Sequence, residues 1–342
     1  MTTAQERYFE GELGPMPLAR SVLDRAGEQR TDDTWLAAAW ADPGSRVFAV
    51  DDSRAEAVLE PVPGLVFRDG AFFDARYPGA ERFFLGVDED GVAYFAVGVG
   101  LPGPDGEPTA STAGSASTPG AALTSALPPA SEQVPALGKL RHAREIAAAL
   151  PDRDGGLLAH AVGLDNWHRT HAFCSVCCHP TRITYAGSVR QCDNCGTEHY
   201  PRTDSAVIMA VTDPDDRLLL ARNASWPPNR ASVLAGFVEP GETLEAAVAR
   251  ECHEEAGLRV TAVHYLGSQP WPLPRSLMLG FTATVDDPTL HLDGIELDWA
   301  KWYSRAELKE AVTTGELLML PQDISIARRL INHWYGGDPA AS

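Results

Sequence analysis

The chain has 342 residues, with 28 Lys and Arg against 47 Asp and Glu and a formal net charge of -19 at pH 7. Its globular composition, 44% hydrophobic and 22% charged, predicts at this length two compact domains with a small module between them. The acidic excess argues against avid, sequence-independent nucleic-acid binding, because that affinity comes from Lys and Arg. The sequence shows neither the ~18-residue apolar run of a membrane-spanning helix nor a signal peptide, so we expect a cytoplasmic protein with no membrane partner.

The first half of the chain predicts one domain that carries an insertion. Residues 1–100 combine strand-like apolar runs with Gly and Asp turn signals, which is typical of a β-rich α/β domain. Residues 101–136 are rich in Pro, Gly, Ser, Thr and Ala and cannot bury enough apolar surface to offset their ordering entropy, so we predict a disordered insertion. Residues 137–170 place apolar side chains at helical spacing and are predicted to complete the N-terminal domain as a helical segment.

Residues 171–200 contain a cysteine cluster with metal-ligand spacing. Its sequence is CxxC, fourteen intervening residues and CxxC, formed by Cys174, Cys177, Cys192 and Cys195. Each pair can form a tight knuckle, so that four thiolates surround one Zn²⁺ tetrahedrally and leave no open position for water. Redox chemistry is the alternative for a CxxC motif, but two matched pairs favour one structural zinc ion per chain.

Residues 201–336 are predicted to form the last domain. Two strands over 206–211 and 218–221 are joined by a turn that contains Pro and Asp. A helix is predicted over 244–256, with Gly257 as its C-terminal stop.

Three carboxylates on this helix form the candidate catalytic site. Glu251 and Glu255 lie one helical turn apart on the same face, with Glu254 beside them. Neighbouring carboxylates repel one another unless a cation neutralises them, and oxygen ligands suit Mg²⁺ or Mn²⁺, which can also bridge a pyrophosphate. A surface helix whose carboxylates are merely solvated is the alternative interpretation.

The segment from Gly236 to Leu258 reads GFVEPGETLEAAVARECHEEAGL and resembles the Nudix box. Because the cysteine cluster precedes this box, the chain resembles the bacterial NADH pyrophosphatase family. The resemblance implies an α/β (α+β) fold class, with a zinc ribbon followed by a Nudix α/β/α sandwich that has a mixed sheet. It also implies that Arg250 orients glutamates of the loop and that metal is held by Glu251, Glu254, Glu255, Glu296 and the backbone carbonyl of Ala235. Cys252 stands at a usually aliphatic position, and we predict a buried residue and not a nucleophile.

Ten residues after the box the sequence reads SQPWPLPRS, in which three prolines within five residues predict an extended backbone. A Pro-rich turn that packs Trp271 into the core is the alternative. The segment resembles the SQPWPFPxS array of NADH pyrophosphatases, although Leu273 stands where the family has Phe. The resemblance implies substrate contacts at Gln269, Pro270, Trp271, Pro272, Leu273, Pro274, Arg275, Ser276 and Ala327.

Three further substrate residues follow from the resemblance alone. In the family a homodimer brings a Tyr of one subunit toward the Phe after the box Gly of the other, so that a base stacks between them; these residues correspond to Tyr200 and Phe237. Arg141 corresponds to an Arg of the N-terminal domain.

The expected reaction is therefore metal-dependent hydrolysis of NADH or NAD⁺ to AMP and nicotinamide mononucleotide, and family members also remove NAD caps from RNA 5′ ends. One alternative is a Nudix hydrolase of ADP-ribose or another nucleoside diphosphate derivative. A second is a non-catalytic zinc-ribbon protein that binds a nucleotide or RNA.

Overall fold

The computed structural model describes residues 12–14, 16–19, 23–100, 137–292, 294–317, 320 and 322–340. The predicted insertion at 101–136 lies outside the described residues. The chain divides into two compact units, Leu23–Pro201 and a second unit of Met1–Val22 with Arg202–Ser342. Within the described ranges, no helix combines the length and the apolar character that crossing a membrane requires.

The Leu23–Pro201 unit contains a six-stranded mixed sheet with helices packed against it. Its strands are β1 (Arg46–Asp51), β2 (Arg54–Val58), β3 (Gly64–Leu65), β4 (Glu81–Val87), β5 (Ala93–Gly98) and β6 (Leu140–His142). Its helices are α1 (Asp33–Ala41), α2 (Gly70–Arg76), α3 (Ala143–Ile146) and α4 (Asp152–Thr170). The strand order is β3-β2-β1-β5-β4 with β6 beside β2, and β1 runs parallel to β5. This architecture confirms the predicted β-rich α/β domain.

The segment predicted as helical over residues 137–170 is only partly so. Residues 140–142 form β6, in which Arg141 pairs antiparallel with Ala55 of β2, and the helices α3 and α4 follow. The local apolar spacing suggested a helix, but β2 offers these residues backbone hydrogen-bond partners that lie far away in sequence. The pairing places Arg141 half-buried on a strand of the sheet.

The cysteine cluster lies beside a three-stranded sheet in the order β7 (Thr181–Thr184), β8 (Val189–Cys192) and β9 (Glu198–His199), and Cys192 ends β8. This ribbon shares its compact unit with the N-terminal domain, because buried polar groups join the two. The imidazole of His168 in α4 hydrogen-bonds to the carbonyl of Gly187 at 2.9 Å and stacks on Phe83 at 5.0 Å between ring centroids. Burial lowers the pKa of His168 to about 3, so the ring is neutral near pH 7.

The second unit is built on another mixed sheet, in the order β13-β14-β10-β11-β15 with β12 beside β10. Its strands are β10 (Asp204–Thr212), β11 (Leu218–Asn223), β12 (Leu234–Phe237), β13 (Val260–Trp271), β14 (Ser276–Val285) and β15 (Leu297–Tyr303). Its helices are α5 (Leu244–Ala256), α6 (Arg305–Thr314) and α7 (Ile326–Tyr335). The ends of α5 coincide with the predicted helix.

Alternating side chains of the central strand β10 define the two faces of this sheet. Val207 and Met209 pack in the core beneath α5, whereas Ile208 and Ala210 pack in the core beneath α6 and α7. A mixed sheet with helices on both faces is the predicted α/β/α sandwich. The sheet therefore places α5, with its glutamates, against one face.

The start of the chain differs from its predicted place in the N-terminal domain. Leu13 and Met16 are buried in the core beneath α6 and α7, and the Pro17 carbonyl accepts a 2.9 Å hydrogen bond from the Gln269 side chain. These residues therefore belong to the second unit. The short segment has no strong periodicity of its own, so only its long-range contacts decide where it lies.

Cys252 is fully buried in the core beneath α5, and burial raises the pKa of its thiol to about 12. We predict that iodoacetamide does not alkylate Cys252 in the native protein, because the thiolate is the reactive form. Mass-spectrometric mapping of alkylated peptides checks this, with the exposed Cys178 as the internal control. Alkylation of Cys252 at the rate of Cys178 would contradict its assignment to the core.

Candidate active site and zinc centre

Local backbone signals fix the turn between β12 and α5 and the two ends of α5. Gly241 adopts φ of 86°, a left-handed conformation that favours glycine. The Thr243 hydroxyl caps the helix by accepting a 3.2 Å hydrogen bond from the Ala246 amide, and Gly257 ends the helix at φ of 71°. These caps set which residues of α5 face the loop.

Gly236 in β12 lies directly against the carboxylate of Glu251. A Cβ atom at Gly236 would lie 1.8 Å from the Glu251 carboxyl carbon, so any side chain there would displace this carboxylate. Glycine therefore serves close approach here and not a turn. Ala235 precedes it in the same strand and is exposed, and its role as a carbonyl ligand stays a prediction.

The guanidinium of Arg250 joins the loop to the helix. Its Nε and Nη2 donate to the two carboxylate oxygens of Glu242 at 2.8 and 2.9 Å, and Nη2 also donates to the Phe237 carbonyl at 2.8 Å. Its Nη1 donates to Glu251 at 2.8 Å and to Glu254 at 2.9 Å. All five N–H groups of the side chain are thus used. The sequence predicted that Arg250 orients glutamates, but it did not assign this partnership to Glu242, eight residues away.

The carboxylates have unlike electrostatic environments. Arg250, followed by the Glu239 amide, lowers the pKa of Glu242 to about 2, so Glu242 is a permanent anion that holds the arginine. The pKa of Glu251 is instead raised, first by burial and then by the charges of Glu254 and Glu296, against the opposing effect of Arg250. Glu296 therefore lies close enough to Glu251 to influence its ionisation.

This group of acids offers the oxygen donors that a divalent cation takes, although among the described residues only the four cysteines bring their ligand atoms within 4.8 Å of one another. Glu251 has a side chain 12% exposed, Glu255 one turn further along α5 is buried, and Glu254 is 57% exposed. Burial first, and the charges of Glu254 and Glu296 second, raise the pKa of Glu251, and a cation beside the carboxylates would offset both effects. Glu251, Glu254 and Glu255 would hold the metal, with Glu296 beside them.

The segment SQPWPLPRS forms a hairpin rather than one extended stretch. Residues up to Trp271 end β13, residues 272–275 turn, and Ser276 begins β14 opposite Trp271. The prolines thus lie partly in a turn, as the alternative predicted, but Trp271 is half-buried and not a core residue. In the turn, Arg275 donates to Asp204 at 2.8 Å, which ties the hairpin to β10.

Gln269, a predicted substrate residue, directs its side chain into the protein. It is fully buried and donates to the carbonyls of Pro17 at 2.9 Å and Ile324 at 2.6 Å, while its oxygen accepts from the Ile326 amide at 2.7 Å. Every polar atom of the amide is occupied within the unit. Gln269 therefore anchors the hairpin to the start of α7, and a substrate contact at this residue stays a prediction.

The remaining predicted substrate residues have different environments. Ala327 is buried in the first turn of α7, directly after the amide that Gln269 binds. Tyr200 and Phe237 are 63% and 60% exposed, which is unusual for large aromatic residues. The Tyr200 hydroxyl donates to Glu198 at 2.6 Å, so its ring is held at one edge while a face stays open. Both rings are accessible for stacking.

The four predicted zinc ligands lie together. Their sulfur atoms are all within 4.8 Å of one another, with Cys174–Cys195 at 3.7 Å and Cys177 at 3.4 Å from both Cys192 and Cys195. A tetrahedral zinc site with Zn–S bonds of about 2.3 Å needs sulfur separations of about 3.8 Å, so the cluster fits the ion. His199 lies 3.3 Å from the Cys174 sulfur, a neighbour that the cysteine spacing did not indicate.

We predict that the purified chain carries one zinc ion and that Cys192→Ser loses it, because three thiolates do not complete the tetrahedral site. Cys178→Ser is the matched control, since Cys178 is exposed and lies outside the cluster. Plasma emission spectrometry measures the zinc content and thermal melting measures the stability. Equal zinc in both variants would contradict the assigned ligand set.

Comparison with known proteins identifies the family. The family model of the NUDIX domain matches residues 201–322, that of the NADH pyrophosphatase zinc ribbon domain matches 169–200, and that of the NADH pyrophosphatase-like rudimentary NUDIX domain matches 56–167. The NAD-capped RNA hydrolase NudC of Mycobacterium bovis is 37% identical over 98% of this chain and 99% of that protein. The human NAD-capped RNA hydrolase NUDT12 is 37% identical over 56% of this chain and 44% of that protein. The chain belongs to the NADH pyrophosphatase family of Nudix hydrolases.

Proposed function

We propose that this enzyme hydrolyses the pyrophosphate bond of NADH or NAD⁺ to AMP and nicotinamide mononucleotide, and that it also removes NAD caps from RNA 5′ ends. The observation that carries the proposal is the group of carboxylates that Arg250 holds on α5 beside Gly236. Support also comes from the names of relatives that match along the whole chain. The acidic net charge favours the free dinucleotide as the first substrate.

The catalytic metal is proposed to be Mg²⁺ or Mn²⁺, held by the carboxylates of α5 with Glu296 and the Ala235 carbonyl. When bound, it would polarise a phosphoryl oxygen and lower the pKa of the attacking water. Arg250 contributes by fixing Glu251 and Glu254 relative to the loop. One of the helix carboxylates accepts the proton of the water as general base, and these neighbouring acids titrate as a coupled group.

Substrate recognition is proposed for the hairpin of residues 269–276, for Ala327 and for Arg141. Tyr200 and Phe237 are open aromatic rings, as a stacking partner must be. In a homodimer, a base would stack between Tyr200 of one protomer and Phe237 of the partner subunit. The half-buried Leu273 lacks the aromatic face that the family has at this position. A cytoplasmic location, where NADH is available, completes the proposal.

Product analysis tests this proposal. The pure protein is incubated with NADH, NAD⁺ and ADP-ribose at several Mg²⁺ and Mn²⁺ concentrations. We expect AMP and reduced nicotinamide mononucleotide from NADH, and a loss of about 100-fold or more in kcat in Glu254→Gln, because that change removes a carboxylate of the reacting centre. Glu245→Gln is the matched control, since Glu245 is an exposed acid in the first turn of the same helix.

The outcomes separate the rival functions. Cleavage of ADP-ribose without cleavage of NADH would leave the Nudix chemistry intact and reject the substrate. No cleavage by folded, zinc-loaded protein would favour a nucleotide- or RNA-binding protein. Binding to RNA that weakens steeply with added salt would support that second alternative.

A further inference from the structure

A cavity of about 720 Å³ lies inside the Leu23–Pro201 unit. Its walls come from α1, from β4 and β5, and from the hairpin of β7 and β8 in the zinc ribbon. None of its lining residues belongs to the predicted catalytic, zinc or substrate set. The volume falls in the range of about 300–1,000 Å³ that is typical of small-molecule sites.

Three arginines, Arg30, Arg82 and Arg182, line this cavity together with a single acid, Asp33. This local excess of positive charge contrasts with the net charge of -19 for the chain. The residues are 52 and 100 positions apart in sequence, and the fold alone brings them together. Guanidinium groups match the geometry of phosphate oxygens, which they bind through paired N–H donors.

Two of these arginines are held in place and keep donors for a ligand. Arg82 pairs with Asp74 at 2.5 Å and lies 3.9 Å above the Trp40 ring, while its side chain remains 47% exposed. Arg182 pairs with Asp193 at 2.7 Å and with Gln191 at 2.6 Å, and its side chain remains 56% exposed. Among the described residues, neither uses all of its five N–H groups.

Arg30 is the residue that the folded chain does not satisfy. Its Nη2 makes a long 3.3 Å hydrogen bond to the Arg25 carbonyl, and its buried Nε has no hydrogen-bond partner among the described residues. Among the described residues Arg30 has no acidic partner, so an anion bound in the cavity would supply the counter-charge that this guanidinium lacks. The ion pairs of Arg82 and Arg182 can be purely structural, but such a role does not explain Arg30.

The rest of the lining is mostly apolar or aromatic, with Thr31, Thr184 and Gln191 as its uncharged polar residues. Trp40, Phe84 and Phe95 are its buried aromatic residues, and α1 also contributes Leu36 and Ala37. A ligand with an anionic group and a flat ring satisfies both parts of this surface, and the volume admits one mononucleotide. We propose that this cavity binds a nucleoside monophosphate through its phosphate, either free or at the 5′ end of an RNA chain.

Photolabelling with 8-azido-AMP, followed by mass-spectrometric mapping, tests this site in the full-length, zinc-loaded protein. We expect adducts on peptides that contain residues 31–40 or 182–191, and labelling that AMP competes away. Ala37→Trp fills the cavity from an exposed position of α1 without removing a charge, and we expect at least tenfold less labelling there. Ala38→Trp, exposed on the same helix but outside the lining, is the matched control and should label normally.

A second variant tests the charge requirement. Arg30→Gln removes no ion pair recorded among the described residues, and we expect AMP to bind the cavity at least tenfold more weakly, with zinc content and melting temperature unchanged. A 5′-phosphorylated RNA trinucleotide then distinguishes the two ligands. If it competes as strongly as AMP, the cavity binds an RNA 5′ end. If only AMP competes, the cavity binds the free nucleotide.

Three results would overturn the proposal. The first is labelling confined to residues 202–342, and the second is equal cavity labelling in Ala37→Trp and wild type. The third is equal competition by a trinucleotide that lacks the 5′ phosphate, because the arginines would then not recognise the phosphate.

Discussion

The site depends on one guanidinium. Arg250 uses its five N–H groups to bind a loop acid, two helix acids and a backbone carbonyl. Without it, the carboxylates of α5 would lose their common cationic partner and the loop after β12 would lose its side-chain link to the helix. Glu242 matters for the same reason: its lowered pKa keeps the negative charge that retains the arginine. Contacts within the chain therefore hold Glu251 and Glu254 in place beside the loop.

The surrounding fold supplies what this interaction needs. The mixed sheet places β12, with Gly236, beside α5, and the absence of a side chain at Gly236 lets Glu251 approach the strand. On the other side of the same sheet, Gln269 joins the hairpin after β13 to the start of α7. The two arrangements give the carboxylates of α5 and the hairpin of residues 269–276 a common support in one compact unit.

Local signals made part of this predictable. The end of α5 followed from Gly257, and the zinc ligands followed from cysteine spacing, because both are decided within a few residues. Other features depend on partners far away in sequence, which no local pattern predicts. They are strand β6, the position of Leu13 and the burial of Gln269. The arginine-lined cavity was missed for the same reason.

The most direct test of the account is the kcat/KM for NADH of Arg250→Lys against Arg259→Lys. Lysine keeps the charge but has three N–H donors at one point, so it cannot bind the loop and both helix acids together. We predict a loss of at least about tenfold for Arg250→Lys, in line with the removal of charged hydrogen bonds. Arg259, exposed just beyond α5, should tolerate the change. If both variants keep kcat/KM within about twofold of wild type, Arg250 does not organise the site.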